Sequence, residues 1–121
     1  MASCAKVAKF DISHSKVIKL DVGGTKYKTS LATLLMYPDS YLGRLFSGKF
    51  ESPTNEDGEY FIDANGDMFR YILDFLRRSK LTLPDDFKEL DLLCVEADFF
   101  QIEPLILKLA ELEETKKLGE Y

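Results

Sequence analysis

Residues 17–29, Val-Ile-Lys-Leu-Asp-Val-Gly-Gly-Thr-Lys-Tyr-Lys-Thr, decide how the fold begins. Apolar and charged side chains alternate over residues 18–22, which is the period of a strand with one buried face. Gly23 and Gly24 then supply two positions that tolerate positive φ, so the chain can reverse into a second strand over residues 26–29. This stretch therefore predicts a β-hairpin. A phosphate-binding loop is disfavoured because no helix and no Gly-Lys-Ser/Thr ending follow.

The strongest helical pattern lies over residues 68–78. Asp67 or Asn65 can cap this helix, and Arg77 and Arg78 lie at its C-terminal end, where the helix dipole favours cations. Six apolar side chains form its wide stripe: Met68, Phe69, Ile72, Leu73, Phe75 and Leu76. The helix therefore has one face that must be buried.

Shorter elements surround this helix. Ser30 or Thr29 can cap a short helix that Pro38 ends, and Ser40 can cap the next. Residues 60–62 form an apolar strand, and Asp85 or Asp86 can open a helical turn. Further helices are predicted after Asp91, with Leu92, Val95, Phe99 and Phe100, and around Pro104, with Leu105, Ile106 and Leu109. Three strands with several short helices indicate an α+β fold.

Length, composition and charge limit the possible functions. The chain has 121 residues, with 16 Lys and Arg against 21 Asp and Glu and a net charge of −5. One domain accounts for this length. The acidic balance disfavours nucleic-acid binding, and no apolar run approaches the roughly twenty residues that a membrane helix needs. We expect a protein of the cytoplasm, or alternatively of the nucleus, that contacts neither nucleic acid nor membrane.

No arrangement of side chains indicates catalysis, a cofactor or a metal. His14 is the only histidine and precedes the first predicted strand, so the core has no histidine general base. Cys94 lies in an apolar segment without a neighbouring base, which favours a buried, inert thiol. Asp63, Asn65 and Asp67 have the spacing of a calcium loop, but Met68 occupies the position that requires glycine. We therefore predict no catalytic, cofactor-binding or metal residues.

Phe50 is an aromatic residue within the polar loop of residues 47–59. An apolar anchor with a polar rim is the composition of a protein contact site. The alternative is that this side chain folds back onto the core. The sequence leaves both open.

Taken together, these landmarks resemble the BTB/POZ fold, in the branch shared by potassium-channel tetramerisation domains and the KCTD proteins. The resemblance covers about residues 16–109 and rests on these segments: Val22-Gly23-Gly24 with Tyr27 and Thr29, Thr33-Leu34, residues 38–43, 60–63 and 69–77 with Gly66, Leu83-Pro84 and residues 96–100. It implies a small three-stranded sheet flanked by a cluster of short helices. We interpret residues 1–15 as a flexible tail and residues 110–121 as a charged helix end or linker.

Within this branch the chain is more similar to the KCTD proteins, notably over residues 83–89. The resemblance implies a non-enzymatic module that self-associates, as a pentamer rather than a tetramer, and binds cullin-3 as a substrate adaptor of a ubiquitin ligase. The ubiquitylation substrate stays unknown. Two alternatives stay open: the cytoplasmic tetramerisation domain of a voltage-gated channel, and an oligomeriser that never binds cullin.

The resemblance also indicates candidate residues. Those for cullin binding are Phe50, Glu51, Pro53, Phe87, Leu90 and Asp91, and those for the subunit interface are Asp39, Arg44, Asp63, Asn65 and Arg70. At the predicted subunit interface, this sequence departs from the family pattern at one position. The family usually has Arg at the middle of the Asp63-Ala64-Asn65 turn, and Ala64 cannot form its charge-assisted hydrogen bonds across a subunit boundary. Arg44 and Arg70 are available to pair with Asp63 or Asp39.

Overall fold

The computed structural model describes residues 16–48 and 53–117. The elements run in the order β1 (Val17–Val22), β2 (Thr25–Ser30), α1 (Leu31–Leu34), α2 (Tyr41–Leu45), β3 (Glu59–Ile62), α3 (Gly66–Arg78), α4 (Leu90–Phe100) and α5 (Glu103–Lys117). This arrangement confirms the predicted α+β class with a small three-stranded sheet.

The sheet has the strand order β2-β1-β3. The strands β1 and β2 are antiparallel and form the predicted hairpin, whereas β3 lies parallel to β1 on its other side. Gly23 and Gly24 have φ values of 57° and 103°, as a tight two-residue hairpin turn requires. One sheet face carries Ile18, Leu20, Val22 and Ile62, all buried, and this face packs on the helices.

Helix α3 is the central helix of the core, as its pattern predicts. Asn65 caps it, since its Oδ1 accepts hydrogen bonds from the backbone N–H groups of Asp67 and Met68 at 3.0 and 3.2 Å. The ring of Phe69 lies 5.2 Å from the rings of both Tyr27 and Phe100, so it joins the sheet to α4. All six residues of the predicted stripe are buried.

The capping predictions for the short helices hold, and Ser30 and Ser40 accept hydrogen bonds from Thr33 and Gly43. Two other predictions need correction. Residues 85 and 86 form only a turn, and α4 begins at Leu90 after Glu89, whose side chain makes no capping bond. The buried side chains of α4 are Leu90, Leu93, Ala97 and Phe100, whereas Leu92, Val95 and Phe99 are exposed. Because both sides of this helix are apolar, the sequence does not indicate which side the core covers.

The turn between β1 and β2 packs directly against the turn between β3 and α3. A Cβ atom at Gly66 would collide with the carbonyl oxygen of Val22 and the side chain of Thr25, and one at Gly23 would collide with the carbonyl oxygen of Ala64. The Tyr27 hydroxyl donates to the Gly66 carbonyl oxygen at 2.6 Å. Glycine at position 66 is therefore a packing requirement.

We predict that Gly66→Ala destabilises the fold by about 1–3 kcal/mol, the usual cost of over-packing. Helix propensity alone predicts the opposite sign, a gain of up to about 1 kcal/mol. Chemical unfolding at a fixed protein concentration measures the change. Asp67→Ala, at the neighbouring exposed position, serves as the control and should cost about 1 kcal/mol or less. A stabilised Gly66→Ala protein would contradict the packing argument.

Candidate functional site

Helix α4 exposes an apolar stripe of three residues on its outer side. Leu92, Val95 and Phe99 follow one another at helical spacing and are 47, 62 and 44 % exposed. The ring of Phe99 lies 5.3 Å from that of Tyr41 and 5.0 Å from that of Phe100, so half-buried and buried aromatic neighbours support it. Large apolar groups that stay exposed next to one another mark a contact surface. We call these three residues the α4 stripe.

Carboxylates border the α4 stripe. Asp91 and Asp98 are exposed on the same helix, and α4 contains no basic residue. Glu96 has a structural role, because its Oε1 accepts a hydrogen bond from the backbone N–H of Asn65 at 2.8 Å. The surface is therefore apolar at its centre and acidic at its rim.

The residues predicted to bind cullin differ in how exposed they are. Pro53 and Asp91 are exposed, and Phe87 is half-buried with its ring 5.1 Å from that of Tyr71. Leu90 is buried in the core, so its side chain is not available at the surface of the chain. Phe50 and Glu51 lie outside the described residues. Sequence reasoning missed Leu92, Val95 and Phe99 as surface residues, although it placed them on this helix.

The residues predicted for the subunit interface also differ in exposure and in the contacts that they make. The charged side chains of Asp39, Arg44, Asp63 and Arg70 are exposed, and none forms an ion pair within residues 16–48 and 53–117. The Arg70 guanidinium lies 5.3 Å from the centre of the Tyr71 ring. Asn65 is half-buried, and its side-chain oxygen is used in capping α3. The structure therefore assigns Asn65 a role within the chain and leaves the other four side chains at the surface.

The outer face of the sheet carries an ion-pair network. Lys26 Nζ donates to Asp21 Oδ2 at 3.2 Å and to Glu59 Oε1 at 2.7 Å, so it links all three strands. Asn55 Nδ2 also donates to Glu59 Oε1, at 2.9 Å. The bonds from Lys26 and Asn55 hold the pKa of Glu59 below its ordinary value, and the two carboxylates hold the pKa of Lys26 above its own. This network fixes β3 against the hairpin.

We predict that the network stabilises the fold in a pH-dependent manner. Because the folded pKa of Glu59 is lower than the unfolded value of 4.5, its contribution is present above pH 4.5 and is lost as the pH falls through the folded pKa. The melting temperature of the wild type should therefore exceed that of Glu59→Gln at pH 6, and the gap should narrow below pH 4. Glu56→Gln is the control at an exposed loop carboxylate. A gap that does not change with pH would contradict this role.

Cys94 is half-buried between α4 and α5. Burial, followed by the nearby Glu113 carboxylate, raises the pKa of its thiol to about 11. The thiol is therefore protonated at neutral pH. The side chain is half-buried, where the sequence analysis predicted a buried one, and its inertness stays a prediction. Among the described residues, no group of three His, Cys, Asp or Glu side chains could hold a metal ion.

We predict slow alkylation of Cys94. With its pKa at about 11 instead of 9.0, the thiolate fraction at pH 7.5 is roughly a hundredfold lower. Mass spectrometry of a Cys4→Ser variant treated with iodoacetamide would isolate Cys94. The same variant unfolded in urea is the control and should react far faster. Equal rates in both states would contradict the protection by the fold.

Comparison with known proteins defines the class. The family model described as BTB/POZ domain matches residues 18–110. The chain is 56 % identical over 99 residues to the BTB/POZ domain-containing protein KCTD21 of Mus musculus and equally to that of Homo sapiens. The match covers 82 % of this chain and 38 % of each relative, so the chain spans less than half of their length.

The chain therefore belongs to the BTB/POZ family, in its KCTD branch. Domains of this family are interaction modules, and membership implies protein–protein interaction and oligomerisation. In the part of the chain that the structure describes, no helix has the length and apolar character needed to cross a membrane.

Proposed function

We propose that this domain binds cullin-3 and acts as a substrate adaptor of a ubiquitin ligase in the cytoplasm. The observation that carries the proposal is the α4 stripe, a set of large apolar side chains that the fold leaves exposed. Apolar anchors within a polar rim supply most of the affinity at protein interfaces. The KCTD resemblance supports cullin-3 as the partner.

The proposed cullin surface combines the α4 stripe with the exposed candidates of the sequence analysis. Asp91 precedes Leu92 directly, and Phe87 lies in the segment that leads into α4. Pro53 is exposed and precedes β3. Phe50 and Glu51, which lie outside the described residues, stay candidates from the sequence analysis. Leu92 takes the place that Leu90 held in the sequence-based prediction, because Leu90 is buried. Phe99 is the main anchor, because aromatic neighbours support its ring and a supported ring loses little entropy on binding.

The second part of the proposal concerns self-association. We propose a pentamer in which Arg44 and Arg70 of one subunit pair with Asp39 or Asp63 of the next. Their exposure and their lack of ion pairs within the described residues support this assignment. Asn65 contributes through its cap, which fixes the turn that bears Asp63. Recognition of the unknown ubiquitylation substrate then belongs to parts of the protein beyond this domain.

We predict that Phe99→Asp weakens binding of the cullin-3 N-terminal domain at least thirtyfold. A charge at an aromatic anchor that becomes buried in the complex costs about 2 kcal/mol or more, which corresponds to this factor. Isothermal titration calorimetry measures the affinity, and circular dichroism with light scattering checks that the fold and the oligomer persist.

The matched control is Leu107→Asp, an equally drastic change at an exposed apolar residue of α5. It should leave cullin binding unchanged. Unchanged affinity of Phe99→Asp would contradict the site. A wild-type oligomer that does not bind cullin-3 at all would contradict the adaptor function and favour an oligomeriser without cullin.

A further inference from the structure

The α4 stripe has a chemical counterpart within this chain. Residues 1–15, which we call the N-terminal segment, lie outside the described residues, and their sequence is distinctive. Lys6 and Lys9 lie among apolar residues there, and Phe10 follows the second lysine directly. Asp11 is the only acidic residue of the segment. The segment therefore combines apolar side chains with positive charge, whereas the α4 stripe combines them with a negative rim.

Charge distinguishes the α4 stripe from the other exposed surface of the fold. The N-terminal segment has two lysines and one aspartate, whereas residues 16–121 have 14 basic and 20 acidic side chains, a net charge of −6. Helix α4 has no basic residue, and its Asp91 and Asp98 are exposed beside the stripe. The sheet, by contrast, carries exposed lysines at positions 19, 26 and 28. Charge complementarity therefore directs the segment to α4.

The length of the N-terminal segment allows it to reach α4. It is joined to β1 through Lys16, and an extended chain of fifteen residues spans up to about 50 Å. A compact domain of about 100 residues has a radius of gyration of only about 13 Å. A short covalent tether also gives an effective concentration in the millimolar range. A contact of merely millimolar affinity is therefore occupied about half of the time.

We infer that the N-terminal segment covers the α4 stripe and competes there with cullin-3. Phe10 supplies the apolar contact, while Lys6 and Lys9 pair with the carboxylates at the rim. The competing partner rests on the proposed function, whereas the coverage of the stripe does not depend on cullin. Because only the uncovered fraction binds cullin, the segment lowers the apparent affinity by that fraction.

Isothermal titration calorimetry with the cullin-3 N-terminal domain tests the competition. A variant without residues 1–15 should bind cullin about threefold more tightly than the full chain. This variant retains Lys16, whose carbonyl oxygen accepts a hydrogen bond from the backbone N–H of Leu31 at 2.8 Å. Lys6→Glu/Lys9→Glu should give the same gain in the full-length chain. The gain should shrink at high salt, because salt screens exposed charges.

The matched control is Lys80→Glu/Lys108→Glu. It makes the same change of net charge at two exposed lysines outside the N-terminal segment. This variant should leave the affinity for cullin unchanged, and an equal gain in it would overturn the pairing of the segment with α4 in favour of a general effect of net charge.

A spin label on Cys4 tests the coverage itself, without cullin. In a full-length Cys94→Ser variant the label should broaden the methyl resonances of Leu92 and Val95, which are exposed on the α4 stripe. Adding Lys6→Glu/Lys9→Glu keeps the label and the length of the segment but reverses its charge, so this broadening should be lost.

The two measurements separate the inference from the proposed function. Absence of broadening in the labelled chain would overturn the coverage. Broadening together with equal cullin affinity of the full chain and the deletion would overturn the competition. Weaker cullin binding by the deletion would also overturn it, and would make the segment part of the cullin surface. Broadening in a chain that binds no cullin in either form would support the coverage and contradict the proposed function.

Discussion

The contact between two turns, at Gly23 and at Gly66, is the constraint on which the other elements depend. Neither position has room for a side chain, because the backbone oxygens of Ala64 and Val22 lie where a Cβ atom would be. The backbone N–H of Gly23 also donates to the Ile62 carbonyl oxygen at 2.9 Å. The hairpin, the third strand and the start of α3 therefore meet at one point, and Glu96 adds α4 through its bond to Asn65.

This junction explains the structural role of Ala64. The fold uses the carbonyl oxygen of this residue against Gly23, and its half-buried methyl group packs against the core. An arginine at this position would place the same backbone atoms in the turn and add a long cation at the surface. The turn itself therefore does not require an arginine at position 64.

Among the described residues, the α4 stripe and one face of the sheet stay exposed, and they lie on different elements. The α4 stripe is apolar with an acidic rim, whereas the face of the sheet that bears the Lys26 network combines Phe61 with lysines. In the proposed function the α4 stripe binds cullin-3, so a change on this face of the sheet need not affect that binding. The Lys26 network joins residues of all three strands, and its three charged residues lie on the sheet.

The sequence by itself determined the hairpin, the caps and the buried stripe of α3, because turns, caps and amphipathic periods act over a few residues. It also indicated the family through the order of these landmarks. Only the tertiary structure decided which side of α4 faces the core. Leu90 and Phe99 are equally apolar, yet packing against α3 and α5 buries the first and leaves the second exposed. The exposed charges at Asp63 and Arg70 likewise follow from the fold, since burial depends on neighbours that are distant along the chain.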